Sequence, residues 1–223
     1  MMGQRKLAGY CLGGQEDRTV SSRMLEQSSR VFSSQADRLA GKPAAGAPDV
    51  GEKLVAIKTI WEAILNATQS DLDAPTATTL VELSDQLVTD TDQLLSMLVG
   101  QLDDADPFGR LVAESGRQRM LGQRTAALAL CKRKGVTASL VEGKIGTIMA
   151  DLEQSNRNLH AEVAVGKRVQ RELDAAHTKL RHMKDLIASD QWTTHEMLET
   201  SDLFIDSMNR ATSKLAEAGL RSI

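Results

Sequence analysis

The spacing of apolar residues is the strongest constraint on what this chain can fold into. Leu80, Leu83, Leu87, Leu94, Leu98 and Leu102 recur at steps of three, four and seven. That period lines one face of a helix. Leu173, Leu180, Met183 and Ile187 trace a second such face. No segment alternates apolar and polar residues as a half-buried strand would. The expected class is therefore all-α, with helices burying their stripes against one another. Composition agrees: only 3% of the 223 residues are aromatic, whereas Leu, Ala, Met, Gln and Glu, all good helix formers, are plentiful.

Punctuation divides the pattern. Lys42–Gly51, KPAAGAPDVG, reads as a Pro/Gly loop. Pro75 opens a helix, and Asp106-Pro107 has the N-cap and first-turn residues of another. Thr79–Glu82, Ser139–Glu142 and Thr193–Glu196 each have capping-box spacing. The expectation is eight helices, near 1–13, 17–40, 52–71, 76–102, 107–134, 138–163, 167–189 and 192–220. Each set of four suits an antiparallel four-helix bundle with short loops.

Internal similarity supports two copies. MMGQR (1–5) matches MLGQR (120–124) in four of five residues, 119 apart. Glu82, Ser84 and Asp85 match Glu199, Ser201 and Asp202, 117 apart. Two pairings in order at nearly one offset imply tandem units, here 1–103 and 104–223. The second has a helix segment, Pro107–Arg119, before its motif; the first begins at the motif, as though the natural start lay upstream.

Charge and cysteine content exclude several classes. A net charge of −3 with pI ≈ 5.8 argues against a nucleic-acid binder. Two cysteines, Cys11 and Cys131, do not make a disulfide framework. No apolar run reaches the roughly 18 residues that a membrane span needs, so no membrane segment is expected. His160, His177, His182 and His195 lack the i, i+4 spacing of a helical zinc site. No metal, no cofactor and no catalytic constellation is expected, so an enzyme is not the reading.

The residues that invite a function are Ala113–Arg124, AESGRQRMLGQR, with three arginines in eight positions. At about 100° per residue, Val112, Gly116, Arg119, Met120, Gln123, Ala127 and Leu130 share one side, expected to be packed. Arg110, Arg117 and Arg124 form a separate stripe beside Leu121 and Leu128. Arg119 thus falls on or beside the packed side, where a guanidinium must be paired. The pair could be a carboxylate of the chain, such as Glu114, or an external planar anion in a bidentate fork. Gly116, one turn earlier, leaves room for close approach. The charge pattern leaves both open.

Gly116–Arg124, GRQRMLGQR, resembles the signature of the PilJ-type domain, the N-terminal domain of type IV pilus methyl-accepting chemotaxis transducers. Gln4–Tyr10, QRKLAGY, is similar to the continuation of that signature. The resemblance implies an extracytoplasmic four-helix-bundle sensor related to the nitrate/nitrite sensor kinases. In those kinases the first arginine of a similar motif binds nitrate across a homodimer axis. Carried over, that arginine is Arg119, with Gly116 at the motif glycine and Arg124 at its second arginine. Gly122 stands where both families have serine, and Gln123 where the kinases have an aromatic residue.

The resulting expectation is a sensory module in two tandem bundles, the second with an anion site at Arg119, assisted by Gln123. Nitrate or nitrite is the expected ligand, with a homodimer and an unknown signalling protein as partners. The resemblance implies the periplasm; a chain complete as written would be a soluble cytoplasmic component. The competing reading is a helical adaptor that binds proteins and no small molecule.

Overall fold

The computed structural model describes residues 30, 32–34, 36–41, 48–68, 74–100, 107–133, 138–162 and 166–221. Six helices follow one another: α1 (Pro48–Ala67), α2 (Ala74–Val99), α3 (Pro107–Arg133), α4 (Ala138–Ala161), α5 (Lys167–Ser189) and α6 (Thr194–Arg221). The described residues between 30 and 40 are also helical, and no strand occurs among the described residues. The fold is all-α. The motif segment 1–13 lies outside the described residues.

Local chemistry explains several boundaries. At α6 the capping box forms: the Thr193 N–H donates to Glu196 Oε2 at 2.6 Å, and the Glu196 N–H to Thr193 Oγ1 at 3.1 Å. Helix α5 starts after Gly166 and ends at Asp190, whose φ of 53° is left-handed, a conformation Asp tolerates better than most residues. Three expectations fail. Pro48-Asp49-Val50-Gly51 is the first turn of α1, not loop, because Pro pre-sets the helical φ and Asp favours the positive helix end. Thr79 lies inside α2, which already begins at Ala74, so Thr79–Glu82 caps nothing, and Ser139 lies inside α4, which already begins at Ala138, so it is not at the N-cap.

The chain divides into two compact units, Met1–Gln101 with Leu130–Ala138, and Leu102–Ala129 with Ser139–Ile223. In the first, α1 and α2 run antiparallel. Val50, Leu54 and Ile57 pack with Leu94, and Ile60, Trp61 and Ile64 with Leu80. Leu83, Leu87 and Leu98 continue the expected stripe as partly buried neighbours, and its last member, Leu102, lies outside the described residues. Phe32 stacks on Trp61 with ring centroids 4.8 Å apart, and Lys53 bridges to Asp90 at 3.0 Å.

In the second unit, side-chain bonds join α3 to α4 and α6, α4 to α5, and α5 to α6. Along α3 and α6 the partners run in opposite directions: Ser115 bonds Thr212, and Arg119 bonds Asn209. Gly122 lies against Phe204, and Phe108 against Gly219. Gln118 joins α3 to α4 through Ser155. Lys184 joins α5 to Glu153 of α4, and Arg210 joins α6 to Glu172 of α5. The core is made by Leu152, Leu159, Leu173, Leu180, Met183, Phe204, Met208 and Leu215, all essentially without solvent contact. At about 1.5–3 kcal/mol for each buried large side chain, this layer outweighs any single polar contact in the unit.

The matched stretches of α2 and α6 share a burial pattern. Ser84 and Ser201 are buried, Glu82 and Glu199 exposed, Asp85 and Asp202 half-buried. No described helix is long and apolar enough to cross a membrane.

Candidate functional site

Helix α3 buries a different face from the one its apolar residues suggest. Leu111, Ser115, Gln118, Gly122, Thr125 and Ala129 are buried at steps of three and four. Of the side expected to be packed, Gln123 and Leu130 are buried, whereas Val112, Gly116, Arg119, Met120 and Ala127 are only half-buried. The true face is small and polar, so a search for apolar period misses it; Leu121 and Leu128, assigned to the arginine stripe, are buried as well. Ser115, Gln118 and Thr125 at helical spacing were the available signal.

These polar residues find partners across the bundle. Gln118, with no exposed surface, donates from Nε2 to Ser155 Oγ at 2.8 Å. Ser155 in turn donates to the Glu114 carboxylate. Ser115 and Thr212 share a hydroxyl–hydroxyl bond of 2.8 Å, and Thr125 donates to its own helix at Leu121 O. Glu114 is thus engaged by Ser155, not by Arg119.

Arg119 sits beside this polar layer, at the α3–α6 seam. Its Nη1 donates to Asn209 Oδ1 at 2.5 Å. No carboxylate pairs with it among the described residues, and its Nε is buried with no hydrogen-bond acceptor. Burial alone pulls its pKa below the ordinary guanidinium value; a guanidinium stays protonated in proteins regardless. A Cβ built at Gly116 would lie 3.4 Å from Nη2, so the glycine leaves that edge of the fork uncovered by side chain. The chemistry offered is a cationic donor with one N–H satisfied by a neutral amide and its Nε–Nη2 edge unmatched.

The other expected site residues divide. Gln123 is buried, and its Oε1 has no hydrogen-bond partner among the described residues. No bond joins it to Arg119, whose one such partner is Asn209. Arg117 and Arg124 are half-buried, each engaged with a partner, and Arg110 is exposed. Asn209 is the residue that sequence reasoning missed.

No family model, curated protein or solved structure matches the chain.

Among the described residues no group of His, Cys, Asp and Glu is arranged to hold a metal ion. Cys131 is a buried thiol; Cys11 lies outside the described residues.

Proposed function

We propose that the chain is a sensory, ligand-binding module of the PilJ type whose second unit takes a small oxyanion at Arg119. The observation that carries this reading is the state of that arginine. It is a partly desolvated cation on a helix seam, bonded to a neutral amide and lacking a carboxylate partner among the described residues. A buried N–H left without an acceptor costs about 1–3 kcal/mol, more on a charged group. A planar anion on the Nε–Nη2 edge supplies the missing acceptor in bidentate geometry. The GRQRMLGQR signature adds support, because it places the anion-binding arginine of the related sensors at this residue.

Nitrate and nitrite are the ligands proposed first. A homodimer suits such a site, since one ion bridges two copies across a two-fold axis. Binding would act by favouring one helix arrangement over another and so inform a signalling partner.

The test is calorimetry or thermal-shift titration with nitrate, nitrite, sulfate and chloride, with Arg119→Ala alongside. Saturable stabilisation by nitrate or nitrite, weakened roughly tenfold or more in the variant, supports the reading. If no anion stabilises the wild type, Arg119 is structural and the protein is a helical adaptor.

A further inference from the structure

Asn209 is the one described hydrogen-bond partner of Arg119, and its setting makes it more than a passing contact. On α6 it lies between Met208, fully buried, and Arg210, which is bound to Glu172 of α5. Ser115 and Thr212 are joined at 2.8 Å on one side of it along the seam. Phe204 packs over Gly122 on the other. With the seam pinned on both sides, the residue opposite Arg119 has little freedom to withdraw.

The chemistry of residue 209 is what matters. A carboxylate there would meet the guanidinium as an internal ion pair and neutralise it. The amide satisfies Nη1 through Oδ1 without cancelling the charge. Its own Nδ2, on the same carbon as Oδ1, makes no hydrogen bond among the described residues. Asn209 holds Nη1 only, so the Nε–Nη2 edge is left to an outside acceptor. Gly116 keeps side-chain bulk off that edge.

We propose that Asn209 is the specificity-determining partner of Arg119. Its Oδ1 orients the guanidinium through Nη1, which leaves the Nε–Nη2 edge to the anion, and its neutrality keeps the site selective for anions. This rests on the anion reading above and adds to it a residue on the opposite helix.

The experiment titrates wild type, Asn209→Asp, Asn209→Ala and Arg119→Ala with sodium nitrate, sodium nitrite and sodium sulfate at constant ionic strength. Affinity is read by calorimetry, and melting temperature is read without added ligand. Asn209→Asp is expected to keep the helical circular dichroism spectrum, to melt no lower than wild type, and to lose anion binding by at least roughly tenfold. Asn209→Ala, which keeps the charge but loses the orientation of the guanidinium, is expected to bind several-fold more weakly than wild type. A merely structural Asn209 would not raise or hold stability while removing binding. If the wild type responds to an anion and Asn209→Asp binds it equally well, the assignment of Asn209 is overturned while the anion site stands. If Asn209→Asp fails to fold, Asn209→Ala decides: undiminished affinity overturns the assignment. If the wild type responds to none of the three anions, the anion site falls, and the role of Asn209 with it.

Discussion

Phe204 occupies the space that a side chain on Gly122 would need. A Cβ built at 122 lies 2.3 Å from Phe204 Cε1 and 2.6 Å from its Cδ1, and Phe204 has no exposed surface into which to retreat. Two effects of Gly122→Ala therefore oppose each other. Removing glycine from a helix interior gains about 0.5–1 kcal/mol. Overpacking a filled core costs about 1–3 kcal/mol, occasionally more. The clash is with the ring of a locked aromatic, not the free end of a flexible chain, so the cost wins. Gly122→Ala is expected to lower stability by about 1–2 kcal/mol in urea denaturation, and Phe204→Leu in the same chain is expected to recover part of it. A serine at 122 would meet the same ring.

Glycines on α4 provide the opposite case. A Cβ at Gly143 or Gly146 meets nothing within 4 Å, and both residues are exposed within the helix. With no packing term, backbone entropy and propensity decide alone. Gly143→Ala and Gly146→Ala are each expected to raise stability by about 0.5–1 kcal/mol, seen as a higher denaturation midpoint with an unchanged slope.

Much of this architecture was legible because the helices announce themselves by period and punctuation. The bounds of α5 were read as they stand, since Val169, Leu173, Ala176, Leu180 and Met183 keep a helical step and all are buried. Helix α1 began earlier than expected because Pro48 is equally at home in a loop and in a first helical turn. The packed face of α3 was misplaced for a different reason. Hydrophobicity skips Ser115, Gln118 and Thr125, whose burial depends on hydroxyl and amide partners rather than on apolar character. Arg119 could be singled out from the wheel and the motif. Asn209 could not: it is 90 residues away, and only the antiparallel pairing of α3 with α6 brings the two together.

The Glu114–Ser155–Gln118 chain yields an asymmetric prediction. Ser155→Ala removes the donor to Glu114 and the acceptor of Gln118 Nε2 together. It leaves a half-buried carboxylate and a buried amide N–H unmatched, at about 1–3 kcal/mol. Gln118→Leu instead removes an amide whose Oε1 already has no partner and replaces it with apolar volume. It is expected to change stability by less than about 1 kcal/mol, because exchanging a buried polar group for an apolar one of similar shape is nearly neutral. A double-mutant cycle in urea checks this: the two changes should couple, the pair costing less than the sum.

Acid sensitivity in the second unit should trace to Glu172. Lys214 at 2.5 Å and Arg210 at 2.7 Å both donate to its carboxylate. Those bonds, Lys214 first and Arg210 second, hold its pKa below the ordinary value against an opposing effect of desolvation. In the unfolded chain the group titrates near ~4.3, above its folded value. Between those values the unfolded chain binds more protons, so stability falls as pH falls. The contribution is whole above the unfolded pKa and is lost once the folded carboxyl also protonates. Glu196, held down by the Thr193 N–H and hydroxyl, acts in the same direction at the start of α6. Glu172→Gln is therefore expected to be less stable than wild type at neutral pH and to converge with it in acid. Added salt should narrow the neutral-pH gap, because Arg210 and Lys214 reach Glu172 from the solvent-exposed side of the α5–α6 pair. Melting temperatures of the two proteins from pH 7 down to about pH 3, at low and high salt, measure it; parallel curves that never converge would assign the acid limb to other carboxylates.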